Sequence, residues 1–192
     1  MARAGKGSAF EREICKKLSL WWTNNKTDDV FWRASNSGGR AKFRGRKGQS
    51  THGQHGDIAA VDPIGEPLIN LFTIELKRGY SSVTPFDILD RSDKAAKQMF
   101  GKWWSQVWES HVVAGSIAPM MITKRDRREV MIYLPYRFVA VHMAHLRRLA
   151  FPSVFIRLRE ERDQMPSVFG TTLDQFLLYV TPSDVRGWAR ND

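Results

Sequence analysis

The chain of 192 residues holds a single cysteine, Cys15. One thiol excludes an internal disulfide and a cysteine-built zinc site, and its simplest role is that of a small buried hydrophobe. No apolar run approaches the ~18 residues that a membrane span needs. The opening segment, Met1 to Ser8, passes into charged sequence at Glu11, so neither a signal peptide nor a membrane partner is expected. There is no internal repeat, and no biased tract apart from one basic segment. Acid is the scarcer charge: 20 Asp and Glu stand against 30 Lys and Arg, a formal net charge of +10. The scarcity is also local. From Arg33 to Gly56 there is no acid at all, while Arg33, Arg40, Lys42, Arg44, Arg46 and Lys47 fall within that stretch. Hydrophobic residues make up 42% of the chain, enough for one domain with a real core. The balance describes a soluble, basic, cytoplasmic protein whose first candidate partner is a polyanion, nucleic acid above all.

Periodicity supplies an order of elements. Phe10, Ile14, Leu18 and Trp21 or Trp22 recur at helical spacing behind a cap at Ser8, predicting a helix over 8–22. A short strand follows at 30–35, then the basic loop 36–56. Asp57 to Asp62 reads as a strand ending in a turn at Pro63–Gly65, and Leu68 to Lys77 as a second strand. Thr84-Pro85 has the form of a helix start, for a helix running to about Ser110 with a break near Arg91-Ser92. Strands at 117–123 and 130–134 are joined by the charged turn Lys124–Glu129. A helix over 136–149, a strand at 154–158 and a last helix from Thr181-Pro182 complete the pattern. The expected fold is α/β with a mixed central sheet flanked by helices. Residues 1–135 form its core and 136–192 a C-terminal extension packed on the same domain.

Residues two apart on a strand share a face. Glu75 and Lys77 therefore project together, with Ile74 and Leu76 turned the other way into a core. Asp57 opens the preceding strand. If the two strands are neighbours, Asp57, Glu75 and Lys77 meet. Paired carboxylates repel, and a divalent cation relieves that repulsion; an oxygen-only donor set suits Mg²⁺ or Mn²⁺, which also bind phosphate oxygens. A lysine beside the ion can orient an attacking water or stabilise charge on a phosphate. Metal-assisted phosphodiester hydrolysis is the reaction these parts fit. The competing reading is that alternating charges on a strand form an ordinary solvated face.

Asp57-Ile-Ala-Ala followed by Phe72-Thr-Ile-Glu75-Leu-Lys77 resembles the signature of the PD-(D/E)xK nuclease superfamily, and within it the Holliday-junction resolvases of archaeal type and their phage relatives. Gly7-Ser-Ala-Phe-Glu11 is similar to their opening helix, with Glu11 at the metal-linked carboxylate. Phe31-Trp-Arg33-Ala-Ser35-Asn-Ser37 is similar to their phosphate-binding strand and loop, and Pro119 to Lys124 to a later strand ending in lysine. The resemblance covers roughly residues 5–134. It implies a restriction-endonuclease-like core, a homodimer and a Mg²⁺-dependent endonuclease acting on branched DNA in a phage or prophage setting. Glu11, Asp57 and Glu75 would hold the metal, and Lys77 would position the water. Arg12, Arg33, Ser35, Ser37, Arg40, Lys42, Arg44, Arg46, Lys47 and Lys124 would meet the DNA backbone.

Each of these residues has a plainer reading. Ser8-x-x-Glu11 is also a capping box, which explains Glu11 without a metal. Glu13 has Lys17 four residues on, an exposed ion pair. Arg12 is either on phosphate or solvated. His52 and His55 sit in a polar loop, near the metal or simply in solvent, and His111, His142 and His145 are structural. Met99, Phe100, Trp103, Trp104 and Trp108 form a helical stripe that is core or dimer seam before it is a base-stacking surface. Two other functions remain open: a nuclease that nicks duplex or flap DNA during replication or packaging, and a non-catalytic DNA-binding protein that keeps the fold.

Overall fold

A computed structural model of the chain describes residues 4–34, 56–87, 98–143, 152–156 and 167–191. Several expectations lie outside the described residues: Ser35, Ser37, Arg40, Lys42, Arg44, Arg46, Lys47, His52, His55, His145, the helix break at 91–92, and the ends of the 136–149 helix and 154–158 strand.

Helix α1 spans Ala4–Trp22 and starts four residues before the expected cap. Gly5 and Gly7 disfavour a helix by about 1 kcal/mol each relative to alanine, but they do not break the backbone ladder. Ser8 therefore lies inside the helix, and the capping-box reading of Glu11 falls away. The face Phe10, Ile14, Cys15, Leu18 and Trp22 is buried as the spacing predicts. Strands β1 (Phe31–Arg33) and β2 (Ile58–Ala60) pair antiparallel in a two-stranded sheet, with Arg33 opposite Ile58. A 3₁₀ turn follows at Pro63–Gly65, its Ile64 N–H donating to the Asp62 carboxylate.

The strand expected over Leu68 to Lys77 is half helix. Residues Glu66–Leu71 form α2, and only Phe72–Arg78 form strand β3. Pro67 in the first turn favours the helix, Glu66 suits its N-terminal end, and Leu68, Ile69 and Leu71 bury one side of it. An apolar run of this length has no periodicity that separates the two states.

Strand β3 is an edge of a five-stranded mixed sheet, ordered β3, β4 (Ala118–Lys124), β5 (Val130–Pro135), β7 (Val168–Thr172), β6 (Ser153–Ile156). β3 and β4 are parallel, joined through helix α3 (Met99–Ala114), and all other pairs are antiparallel. This is the α/β arrangement, with a mixed sheet flanked by helices, expected of a restriction-endonuclease-like core. One sheet face carries Ile74, Leu76, Met120, Ile122, Ile132 and Leu134 against α1 and the C-terminal helices. The other carries Met121 and Tyr133 against Phe100, Trp103, Trp104 and Val107 of α3. Phe100, Trp103 and Trp104 of the α3 stripe are thus core, while Trp108 is half-buried and Met99 exposed.

Helices α4 (Tyr136–His142), α5 (Leu173–Tyr179) and α6 (Pro182–Asn191) close the first face. Trp21 of α1 donates its indole N–H to Val180 O at 3.1 Å, and Trp188 of α6 meets Phe138 of α4 edge to face. Strand β7 and helix α5 escaped the pattern reading, although Thr172 accepts the Gln175 N–H in a Thr-x-x-Gln capping arrangement that the sequence displays.

Ser19 ties α1 to β1. Its fully buried hydroxyl donates to Cys15 O at 2.9 Å and accepts the N–H groups of Val30 at 3.1 Å and Phe31 at 2.9 Å. Alanine there would orphan two buried donors, each worth about 1–3 kcal/mol. We expect Ser19→Ala to lower stability by about 2–4 kcal/mol in urea unfolding, with the slope on denaturant unchanged. A loss below about 1 kcal/mol would show that the anchor is dispensable.

Candidate active site

The free edge of β3 is occupied at one point by the residues leading into β2. Asp57 N–H donates to Ile74 O at 2.8 Å, and Leu76 N–H donates to Asp57 Oδ2 at 2.7 Å. Ala34 N–H, just past β1, donates to Asp57 O at 2.9 Å. The approach needs glycine beforehand. Gly56 has φ +88°, and a Cβ there would stand 2.6 Å from Ile74 O. β2 and β3 are therefore not laddered neighbours; β2 stays in its own small sheet, and only Gly56-Asp57 reaches β3.

Glu75 and Lys77 project together from β3 on the α3 side. Glu75 is 6% exposed. Lys77 Nζ donates to Glu75 Oε2 at 3.0 Å and to Gln106 Oε1 of α3 at 3.3 Å. Asp57 feels this neighbourhood: burial first, and then the negative charge of Glu75, push its carboxyl up to about 7. The Leu76 N–H and the Lys77 charge oppose that shift, and Glu11 adds to it. The three groups that the sequence placed together are thus brought together around the β3 edge. Gln106 was not foreseen. Its only signal is a polar side chain beside the apolar stripe of α3.

Glu11 approaches from α1 and is ion-paired with Arg33 Nε of β1, the carboxylate largely shielded from solvent. Cys15, one turn along, registers the same charges: burial, with Glu11 next, pushes its thiol to about 12. The i, i+4 pair expected for Glu13 and Lys17 is not formed. Glu13 faces Arg78 at 3.8 Å, and Lys17 pairs with Asp174 of α5, because the body of the domain offers each a partner across elements. Arg12 is exposed. Lys124 ends β4 opposite Arg78 and lines, with Lys77, a small cavity beside the site. His111 contacts Ser116 Oγ at 2.9 Å and His142 stacks near Phe138 and Trp188, both in structural settings.

Among the described residues no group of three His, Cys, Asp or Glu side chains closes into a ready cation cage. The donors available are Asp57 and Glu75, with Glu11 nearby but engaged by Arg33. That set fits a hard divalent cation, which is commonly held by one or two carboxylates and otherwise by water and substrate phosphate. The mutual repulsion that raises Asp57 is what such an ion would relieve.

A protein-family model described as "phage putative PDDEXK endonuclease" matches residues 2–187 of the chain. No curated protein and no solved structure matches it.

The raised Asp57 carboxyl makes stability depend on pH in a defined direction. In the folded chain it keeps its proton up to about 7, whereas an unfolded aspartate loses it near ~4. Folding therefore takes up a proton between these values, and stability falls as pH rises through that window. In chelator, wild type should lose more stability from pH 5 to pH 8 than Asp57→Asn, and the variant should be the more stable protein at pH 8. Equal pH dependence of the two proteins in denaturant unfolding would contradict the assignment.

Proposed function

The chain belongs to the phage putative PDDEXK endonuclease family, and from that premise we propose that it is a divalent-metal-dependent DNA endonuclease whose centre is Asp57, Glu75 and Lys77. The observation that carries this reading is the meeting, on one strand edge, of the buried Glu75 carboxylate, the half-buried Asp57 carboxylate and a lysine amine that touches the first of them. Asp57 and Glu75 would hold Mg²⁺ or Mn²⁺, with Glu11 contributing directly or through water. The ion, when bound, supplies charge stabilisation at the phosphate and a more acidic water.

The chain's own groups do the rest. Lys77, held between Glu75 and Gln106, presents its ammonium where it can orient an attacking water and stabilise charge developing on the phosphate. The Leu76 N–H fixes one Asp57 oxygen, and the other, which takes no hydrogen bond among the described residues, would be offered to the ion. Arg33, though paired to Glu11, lies beside the site and can share its guanidinium with a phosphate. Arg12, Ser35, Ser37, Arg40, Lys42, Arg44, Arg46, Lys47 and Lys124 complete the backbone contacts, which set affinity and register without reading sequence. That makes recognition structure-selective, with branched DNA as the substrate. A homodimer would present two sites to opposite strands. The setting is the cytoplasm of a phage-infected or prophage-bearing cell. Among the described residues no helix is long and apolar enough to cross a membrane.

The test is Mg²⁺-dependent cleavage of a panel comprising a four-way junction, a flap and linear duplex, with Asp57→Asn and Glu75→Gln alongside wild type. Both variants keep side-chain size, so they should stay folded, lose cleavage by at least about a thousandfold, and bind DNA within about threefold of wild type. Full cleavage by either variant overturns the centre. Equal cleavage of junction and linear duplex overturns the branched substrate.

The basic segment makes its own forecast. Each phosphate contact contributes about −0.9 to the slope of log affinity on log salt. Replacing Arg44, Arg46 and Lys47 together by alanine should flatten that slope by about 2 to 3 in binding titrations. An unchanged slope would return the segment to a solvated face.

A further inference from the structure

The sheet face that carries Lys77 continues past α3 into an open groove of about 410 Å³. Its floor is the outward side of β5 and the outer strands, with Met131, Tyr133 and Val154, and its wall is the turn at Pro85-Phe86. Gly170 keeps the floor low: a Cβ there would stand 2.8 Å from the Tyr133 ring and 2.9 Å from Val154. The rim bears Arg125 and Arg128, with Glu129 the one acid among the described lining residues. Neither arginine has an ion-pair partner among the described residues. Phe86 is 54% exposed, an aromatic left facing solvent where a core residue would be covered.

Register connects this groove to the active centre. Lys77 stands opposite Thr123, Thr123 opposite Met131, and Met131 opposite Thr172, all on one row across the sheet. Neighbouring strands are about 4.8 Å apart, so the groove floor begins roughly 10 Å from the backbone of Lys77. The small cavity at Lys77 and Lys124 shares Pro85, Arg125 and Tyr133 with the groove, so the two adjoin at those side chains.

We propose that this groove seats an unpaired nucleotide of the DNA strand that passes through the active centre, one or two positions from the bond to be cut. The inference rests on the nuclease reading and adds to it the kind of DNA the enzyme selects. Three features argue for this occupant. The volume suits one base with its sugar and is far too small for a base pair with two backbones. An apolar floor with an exposed aromatic takes a base face without regard to sequence. Two rim arginines with no ion pair among the described residues suit the flanking phosphates. A fully paired duplex cannot enter, so strands that are unpaired beside the cleavage point, as at flaps and branches, gain contacts that plain duplex does not.

The experiment uses the full chain in EDTA, where no cleavage occurs, and fluorescence anisotropy with two labelled DNAs: a blunt duplex and the same duplex with a short unpaired tail. The tail should tighten binding about tenfold. The Arg125→Ala/Arg128→Ala protein and, separately, Phe86→Ala should reduce that gain to about twofold or less while leaving blunt-duplex affinity within about twofold. Phe86 and Arg128 are exposed and Arg125 is half-buried at the turn, and circular dichroism checks the fold. Equal binding of both DNAs by wild type overturns the groove. So does a parallel loss for both DNAs in the variants, and so does an unchanged tail preference accompanied by dissociation of a dimer in sedimentation, which would give the groove to a second copy of the chain. Equal binding with cleavage intact removes the groove alone, whereas failure to bind either DNA removes the nuclease reading with it.

Discussion

A carboxylate fastened to the bare edge of a strand is the constraint on which the rest of the structure turns. An edge strand offers unpaired N–H and C=O groups that must be covered or left to solvent. Here Gly56-Asp57 covers them at one place, and the bond from Leu76 N–H to Asp57 Oδ2 uses the side chain itself as a ladder partner. That bond leaves Asp57 no freedom to retreat from Glu75. Burial and like charge then act together on it. Much of the architecture serves this contact. Ser19 fixes the start of β1, β1 holds β2 in register, and Ala34 N–H holds the Asp57 carbonyl. Gly56 permits a backbone approach that no side chain would survive.

What the sequence reveals of this is uneven, for physical reasons. Side-chain alternation is a local property, so Glu75 and Lys77 could be assigned to one face, and Ile74 and Leu76 to the other, from the strand period alone. The helical stripes of α1 and α3 were legible for the same reason. A contact between elements has no local signature. Nothing in the neighbourhood of Gln106 says that it will meet Lys77, and nothing near Arg33 says that it will pair with Glu11. The failure at Glu66–Leu71 is of another kind. A short apolar run bounded by turn residues is energetically acceptable as strand or helix, and only packing on the rest of the domain decides. The misplaced start of α1 shows the limit of propensity: two glycines lower helix stability by amounts too small to end a helix already growing.

Charge is distributed on two scales, and the two act on different species. Over the chain the balance is +10, a field that draws in a polyanion from any direction. At the β3 edge the balance is reversed: Glu11, Asp57 and Glu75 face Arg33 and Lys77, three acids against two bases, a local charge of −1 once Asp57 is ionised. On the proposed reading a divalent cation would be drawn to the centre and a phosphate to its surroundings. Neither field alone would bring both to one place. The centre by itself repels phosphate, and the periphery by itself repels metal. The pairing of Glu11 with Arg33 keeps these demands compatible: it moderates the acidity of the centre while placing a guanidinium at its margin, where the two fields meet. The sheet contributes the geometry. Because parallel pairing sets Lys77 level with Thr123 and Arg78 level with Lys124, the acidic edge and the basic β4–β5 turn lie at the same end of the strands. On the proposed reading, a backbone crossing that end would meet Arg78 and Lys124 beside the acids that would hold the ion.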